Sequence, residues 1–124
     1  MKRTRQPVSF IATDAPKKAE IFYSGVMGLT LQDRSPYALV YEDGTHTLRI
    51  QIVPEFTPTA HTAYGWVVPD LATEAKTLKR NGISLLAFDH LVQDKHYIWT
   101  TPDGHKIAWF KDPCGNVLSF TQYV

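Results

Sequence analysis

The sequence predicts an α+β fold in which two βαβββ repeats form a cupped mixed sheet around a cavity. The chain has 124 residues, the size of one domain. A strand, an aspartate, an amphipathic helix and a glycine follow one another twice, and a polar corner containing glycine also recurs. Such repeats indicate that each copy needs its twin to bury its apolar face. We predict one domain over 1–124, with repeats at about 7–53 and 63–123 and a linker at about 54–62.

The first repeat begins with a predicted strand at Val8–Thr13. Asp14 is the predicted N-cap of a helix that has Pro16 in its first turn and ends at Gly28. The helix is predicted from apolar residues at i, i+3, i+4, i+7 and i+8, which are Ala19, Phe22, Tyr23, Val26 and Met27. Asp43-Gly44 is a predicted hairpin turn between the last two of three strands. The three strands are expected at Leu29–Asp33, Tyr37–Glu42 and Thr47–Val53.

The second repeat shows the same order. A strand is predicted at Tyr64–Val68, and Asp70 opens a helix that Asn81-Gly82 closes. Strands are then expected at Ile83–Phe88, Ile107–Lys111 and Val117–Gln122. Residues 89–106 have no counterpart in the first repeat and are interpreted as an insertion.

The composition limits the classes of partner. A hydrophobic fraction of 44% and a charged fraction of 20% are typical of a globular protein with a buried core. A net charge of +1 argues against nucleic acid or a membrane surface as a partner, and no apolar run approaches the ~20 residues of a membrane span. Cys114 is the only cysteine, so no internal disulfide can form, which favours a cytoplasmic location.

Two stretches carry a resemblance to a known family. The first is Phe10–Asp14, followed by the helix end Phe22–Leu29, and the second is the closing corner Trp109–Leu118, which contains an F-x-D-P-x-G-N pattern. Together they resemble the vicinal oxygen chelate superfamily, which includes glyoxalases, bleomycin-resistance proteins and extradiol dioxygenases. The resemblance covers nearly the whole chain and implies a glyoxalase-like fold, but it says much less about chemistry.

The resemblance also implies where a metal would bind. Enzymes of this superfamily hold a divalent metal through His, Glu or Gln on the first and last strand of each repeat. Here those positions fall on Pro7 or Val8, Arg49 or Gln51, Tyr64, and Ser119. At most one of the four can coordinate a metal, and Arg49 would repel it. We therefore predict no metal site and no cofactor.

The five histidines do not rebuild a site in the sequence pattern. They show no i, i+4 pair on a predicted helix and no alternation along one strand, and they are His46, His61, His90, His96 and His105. We interpret them as solvated loop residues. A metal site rearranged onto some of them is the alternative, and the role of His90 and His96 in the insertion is left open.

Two groups of residues are candidates for binding a ligand. Arg49 and Gln51 point to one side of their strand, opposite Leu48, Ile50 and Ile52, so that Arg49 can bind a carboxylate or phosphate through its planar guanidinium. An internal ion pair with Glu42 or Asp33, or solvent exposure, is the alternative.

The second group is aromatic. Tyr64 and Trp66 share a strand face, and Trp99 and Trp109 add aromatic surface that suits a planar or apolar molecule. Ser119 can offer a hydroxyl. The alternative is that these aromatic residues belong to the core. At the closing corner, Asp112, Gly115 and Asn116 are expected to hold the turn, with Cys114 exposed only incidentally.

These observations favour a metal-independent small-molecule binding protein of the glyoxalase/bleomycin-resistance type, for an aromatic or anionic compound. A metal-dependent lyase, isomerase or dioxygenase with rearranged His ligands is the alternative. Sequestration of a cationic drug would need an acidic groove, and 13 basic against 12 acidic residues give no such signal. A homodimer remains possible, because edge strands in this fold often meet between two copies.

Overall fold

The computed structural model describes residues 4–124 and divides into two compact units, Met1–Thr57 and Pro58–Val124. Each unit has the order β-α-β-β-β and one four-stranded mixed sheet, so the predicted α+β class with two βαβββ repeats is confirmed. The division lies inside the linker expected at 54–62. That both units make one domain stays a prediction.

The predicted strands recur with small shifts in unit 1 and with one large difference in unit 2. In unit 1 the elements are β1 Val8–Thr13, α1 Pro16–Glu20 continued by a π-helical segment Ile21–Val26, β2 Thr30–Arg34, β3 Ala38–Asp43 and β4 His46–Ile52. In unit 2 they are β5 Thr62–Val67, α2 Leu71–Arg80, β6 Trp99–Thr100, β7 Lys106–Lys111 and β8 Val117–Gln122.

The sheet of unit 1 has the order β1-β4-β3-β2, in which β1 and β4 are parallel and the other pairs antiparallel. One of its faces packs on the helix. The buried apolar side chains of this core are Ile11, Ala19, Phe22, Tyr23, Leu39, Tyr41, Leu48 and Ile50. Burial raises the pKa of the Tyr41 phenol, which is hydrogen-bonded to the Ser24 hydroxyl at 2.8 Å.

The start of α1 differs from the prediction. Asp14 is not the N-cap, which is Ala15 and has no side-chain hydrogen bond to the helix. The Asp14 carboxylate accepts a hydrogen bond from the Phe56 amide at 3.3 Å. Asp14 therefore stabilises the chain near the end of unit 1 rather than the start of the helix. Gly28, at φ +71, follows the helix end as predicted, because that backbone conformation favours glycine.

The sheet of unit 2 has the order β5-β8-β7-β6, with β5 and β8 parallel. Asp70 is the N-cap of α2 as predicted: its carboxylate accepts the Thr73 hydroxyl at 2.8 Å and the Thr73 amide at 3.4 Å. These hydrogen bonds lower the pKa of the Asp70 carboxyl, and the bond from the Thr73 hydroxyl has the larger effect. No helix within 4–124 is long and apolar enough to cross a membrane.

The strand predicted at Ile83–Phe88 is wrong. That segment forms no ladder, and the strand beside β7 is the short β6, which lies inside the predicted insertion. The physical reason is the Gln93 side chain, which accepts from the Phe88 amide at 2.8 Å and donates to the Leu86 carbonyl at 3.0 Å. The side chain therefore satisfies two backbone groups that a strand neighbour would otherwise pair, while the Leu86 amide still donates to the Trp109 carbonyl of β7 at 2.8 Å.

The closing corner between β7 and β8 is held by Asp112, which is 6% exposed. Its carboxylate accepts from the Cys114 amide at 2.9 Å, the Asn116 amide at 3.0 Å and the Asn116 side-chain amide at 2.8 Å. Gly115 sits at φ +90 against Pro58, where a Cβ would come within 2.9 Å of the proline ring. The corner is thus a packed structural element, and the half-buried Cys114 forms no disulfide.

Candidate ligand-binding faces

Each sheet has a face that its helix does not cover, here called the open face of that unit. In unit 1, Leu48 and Ile50 are fully buried towards α1, so Arg49 and Gln51 point to the open face. Phe10 of β1 lies in register with Arg49 and is 60% exposed. The open face of unit 1 therefore combines a guanidinium, an amide and an exposed aromatic ring.

The guanidinium of Arg49 is oriented by its neighbour. Its Nε donates a hydrogen bond to the Gln51 side-chain oxygen. Among residues 4–124 no carboxylate lies within ion-pair distance of Arg49, and Glu42 instead accepts the Gln32 amide at 2.6 Å. The internal ion pair considered for Arg49 is absent from the described residues, which leaves its terminal nitrogens as donors for a ligand.

The open face of unit 2 has a small centre. Ser119 of β8 lies between Gly65 of β5 and Trp109 of β7 in the ladder, and all three share this face. A Cβ added at Gly65 would collide with the Ser119 hydroxyl oxygen, so the glycine lets the serine lie over β5. Trp109 Nε1 donates a hydrogen bond to the Thr62 hydroxyl at 2.9 Å. Because Trp109 is on β7 and Thr62 is on β5, the indole extends across the intervening strand β8.

Trp109 is also the centre of an aromatic group, the Trp109 cluster, made of Phe88, Trp99 and Trp109. The Trp99 and Trp109 rings stack with centroids 6.3 Å apart, and Phe88 meets Trp109 edge-on at 5.3 Å. His90 in turn lies edge-on to Phe88 at 5.7 Å. The three cluster rings are only half-buried, so they still present apolar surface to a ligand.

The structure brings Tyr64 and Trp66 together but not with Ser119. Their ring centroids are 5.0 Å apart, and Trp66 stacks on Phe110 at 6.4 Å and contacts Phe120 at 5.8 Å. Phe110 and Phe120 are buried core residues, so this pair lies on the side covered by the helix. The strand is irregular between Thr62 and Tyr64, and Gly65 rather than Tyr64 pairs with Ser119.

The residues present do not fit the metal site that the resemblance implies. Val8 is aliphatic, Arg49 is cationic, and Ser119 is flanked by Gly65, so Gln51 is the one typical ligand among them. Within 4–124 no three side chains of His, Cys, Asp or Glu lie close enough to hold a metal.

One histidine is not the solvated loop residue that was expected. His46 begins β4, is half-buried, and shares a 2.8 Å hydrogen bond between its Nε2 and the Ser9 hydroxyl. The other four follow the expectation more closely, since they lie outside the strands and helices.

Comparison with known proteins rests on structure alone, because no protein-family model and no curated protein matches the sequence. The chain is similar to a lactoylglutathione lyase from Agrobacterium tumefaciens, with a TM-score of 0.73 and 15% identity over 98% of this chain and 95% of that one. It is similar to TnmS3, an antibiotic binding protein from Streptomyces sp. CB03234, with a TM-score of 0.71 and 20% identity over 99% and 100% of the two chains. A bleomycin resistance determinant encoded on the transposon Tn5 gives 0.70 and 20%, over 96% and 98%. At these identities the likeness shows a shared fold.

Proposed function

We propose that this chain, which has the fold of the vicinal oxygen chelate superfamily, is a metal-independent small-molecule binding protein for a compound that is aromatic or anionic. The resemblance noted in the sequence is confirmed as far as the fold reaches. The open face of unit 1 by itself supports an anionic ligand, and the open face of unit 2 by itself supports an aromatic one. The cytoplasmic location and the homodimer stay predictions from the sequence.

The observation that carries the proposal is Arg49. It is half-buried, its Nε is fixed by Gln51, and no described carboxylate neutralises it. A charge removed partly from water without a counter-ion is costly, and an anionic ligand would supply the missing partner. Phe10 beside it, 60% exposed, offers an apolar surface to the rest of such a ligand.

The open face of unit 2 supports an aromatic ligand. The Trp109 cluster presents half-buried rings, and the small residues Gly65 and Ser119 lie on the same face. Aromatic rings stack on such surfaces with a preference for offset or edge-on geometry. The Ser119 hydroxyl is the polar group that would fix the ligand's orientation.

The names of the similar proteins support binding as a function of this fold. TnmS3 is described as an antibiotic binding protein and the Tn5 protein as a resistance determinant, whereas the Agrobacterium protein is described as a lyase. We favour binding over lyase, isomerase or dioxygenase chemistry because the side chains at the expected metal positions are unsuited to a metal.

The test is a titration with 2-naphthoate and its neutral amide, followed by calorimetry and thermal shift. We expect the carboxylate to bind and the amide to bind more weakly, because only the carboxylate accepts charge-assisted hydrogen bonds from Arg49. Arg49→Ala should weaken carboxylate binding roughly 10- to 100-fold, the range for hydrogen bonds to a charged group. Phe10→Ala should weaken it by about fivefold through lost ring contact on the same face.

The matched control is Arg80→Ala, which removes an exposed arginine that donates a hydrogen bond to the Thr77 hydroxyl on its own helix. It should leave binding unchanged, as should a chelator. If the protein purified without chelator held about one metal ion per chain, and the chelator abolished binding, the metal-dependent alternative would replace this proposal.

A further inference from the structure

A cavity of about 420 Å³ lies in unit 2 beside α2, away from the open face. Its walls are α2, the chain that follows α2 at 83–85, and the turn at 95–98. The volume is within the range of small-molecule sites, about 300–1,000 Å³. None of the residues assigned to the open faces lines it.

The helix wall is one stripe of α2. Ala72, Ala75, Lys76 and Lys79 are spaced i, i+3, i+4 and i+7, so they lie on one side of the helix. Leu71 and Leu78, which are buried, hold the helix to the sheet. Two short alanines leave room above the helix backbone, and the two lysines border that room.

The opposite wall is fixed by Asp94. Its carboxylate accepts from the His96 amide at 2.8 Å and the Ile98 amide at 3.0 Å, while the Asp94 amide donates to the Ile98 carbonyl at 2.9 Å. Tyr97 is the one non-glycine among residues 4–124 at positive φ, +66. The Gln93 side chain donates to the Tyr97 carbonyl at 2.9 Å. These bonds hold Lys95, a lining residue, in a defined turn.

The charge of the lining is positive. Lys76, Lys79, Lys95 and His96 line the cavity, and none of the lining residues is acidic. Within 4–124 the three lysines have no hydrogen bond or ion pair with another side chain. Two carboxylates outside the lining interact electrostatically with its cations: Asp70 with Lys76, and Asp94 with His96.

We propose that this cavity is a second binding site, which takes a small organic phosphate. Lysine ammonium groups act as point charges that suit the spread charge of a phosphate dianion. Apart from Ser84, the rest of the lining is apolar or aromatic, namely Ala72, Ala75, Ile83, Leu85, Tyr97 and Ile98. This surface suits an apolar body attached to the phosphate. The site does not depend on Arg49.

The experiment is a titration of the full chain with phenyl phosphate, compared with inorganic phosphate and phenol, and followed by NMR chemical shifts and calorimetry. We expect phenyl phosphate to bind with a Kd below about 1 mM and more tightly than either fragment, because it uses both parts of the cavity. Shifts should concentrate on the amides of Ala75, Lys79 and Tyr97, and higher ionic strength should weaken binding.

Substitutions separate this site from Arg49. Lys79→Gln and Lys95→Gln should each weaken phenyl phosphate by about two- to fivefold, the range of an exposed charge pair, and the double variant should weaken it further. The matched control Lys17→Gln/Lys18→Gln removes two exposed lysines from α1 and should have no effect. Arg49→Ala should also have no effect here.

Two outcomes would overturn the proposal. In the first, phenyl phosphate fails to bind or responds to Arg49→Ala instead of the lysines, which would assign anion binding to the open face alone. In the second, a short single-stranded oligonucleotide competes through Lys79 and Lys95 more strongly than phenyl phosphate, which would make the lysines part of a nucleic-acid surface. The 2-naphthoate result depends on Arg49, so either proposal can fail while the other stands.

Discussion

The two units differ in how they satisfy the backbone hydrogen-bonding groups of the segment that follows the helix. In unit 1 the segment after the helix is a five-residue strand, β2, that pairs with β3. In unit 2 the equivalent segment at 83–88 forms no ladder. The Gln93 side chain binds its Phe88 amide and Leu86 carbonyl, the Leu86 amide donates to the Trp109 carbonyl of β7 at 2.8 Å, and β6 has two residues. Both repeats therefore keep a four-stranded sheet, but in unit 2 the Gln93 side chain binds backbone groups that a neighbouring strand would otherwise bind.

The open faces differ as well. Arg49 faces Phe10 across the ladder in unit 1, whereas Ser119 faces Gly65 in unit 2 and is flanked by Trp109. One face offers charge and the other offers aromatic surface around a small centre. The same fold thus positions different chemistry at matching strands, which is why fold alone does not assign a ligand.

The largest effect on stability is expected at the corner of unit 2. Asp112→Ala removes a buried carboxylate that accepts three hydrogen bonds from Cys114 and Asn116. The donors are left in a corner where water does not replace the carboxylate fully. We expect the free energy of unfolding to fall by about 2–4 kcal/mol, measured by denaturant unfolding.

The matched control is Asp103→Ala, which removes an exposed turn carboxylate in the same unit. It should change the free energy of unfolding by less than about 0.5 kcal/mol. Equal losses in the two variants would show that the corner is not the special element of unit 2.

The sequence was sufficient for the parts of the fold that depend on local pattern. The sequence analysis predicted β1 and β8 with the bounds that the structure has, and it predicted Asp70 and Gly82 at the ends of α2. These features depend on residues close in the chain. The failure at 83–88 has the opposite cause, because a glutamine five to seven residues away binds the Phe88 amide and the Leu86 carbonyl, and the periodicity of the sequence does not show this exchange.

The candidate site was partly predictable for the same reason. Alternation along β4 placed Arg49 and Gln51 together on one face. The same alternation could have identified Phe10, which lies on the opposite face from Ile11. The bulge between Thr62 and Tyr64, which shifts the faces of β5, leaves no pattern in the sequence. The cavity beside α2 depends on a tertiary contact between the helix and the turn at 95–98, so only the lysine spacing on the helix was visible.

A smaller effect is expected from Gln93→Ala. The variant loses hydrogen bonds to the Phe88 amide and to the Leu86 and Tyr97 carbonyls, all at the side of unit 2 that lacks a full strand. Global stability should fall by about 1–2 kcal/mol. Amide exchange should accelerate at Phe88, because water then reaches its N–H group.

Gln32→Ala in β2 is the matched control, since that side chain donates to Glu42 at the surface while the backbone of β2 pairs with β3. Exchange in β2 should stay slow. If Phe88 remained equally protected in Gln93→Ala, the segment at 83–88 would be held by packing rather than by the glutamine.

The smallest effect concerns the two helix starts. Asp70 caps α2 with its side chain, but Ala15 at the start of α1 makes no such bond, although its φ of −130 is close to the −145 of Asp70. Ala15→Ser should therefore give a hydroxyl acceptor for a first-turn amide and raise the free energy of unfolding by about 0.5–1 kcal/mol. Asp70→Ala should lower it, and thermal unfolding of the two variants should shift in opposite directions. If the free energy of unfolding decreased in both variants, a serine side chain at position 15 would not stabilise α1. The hydrogen bond from the Ala15 amide to the Thr13 hydroxyl, 3.1 Å long, would then be the interaction that holds the start of this helix.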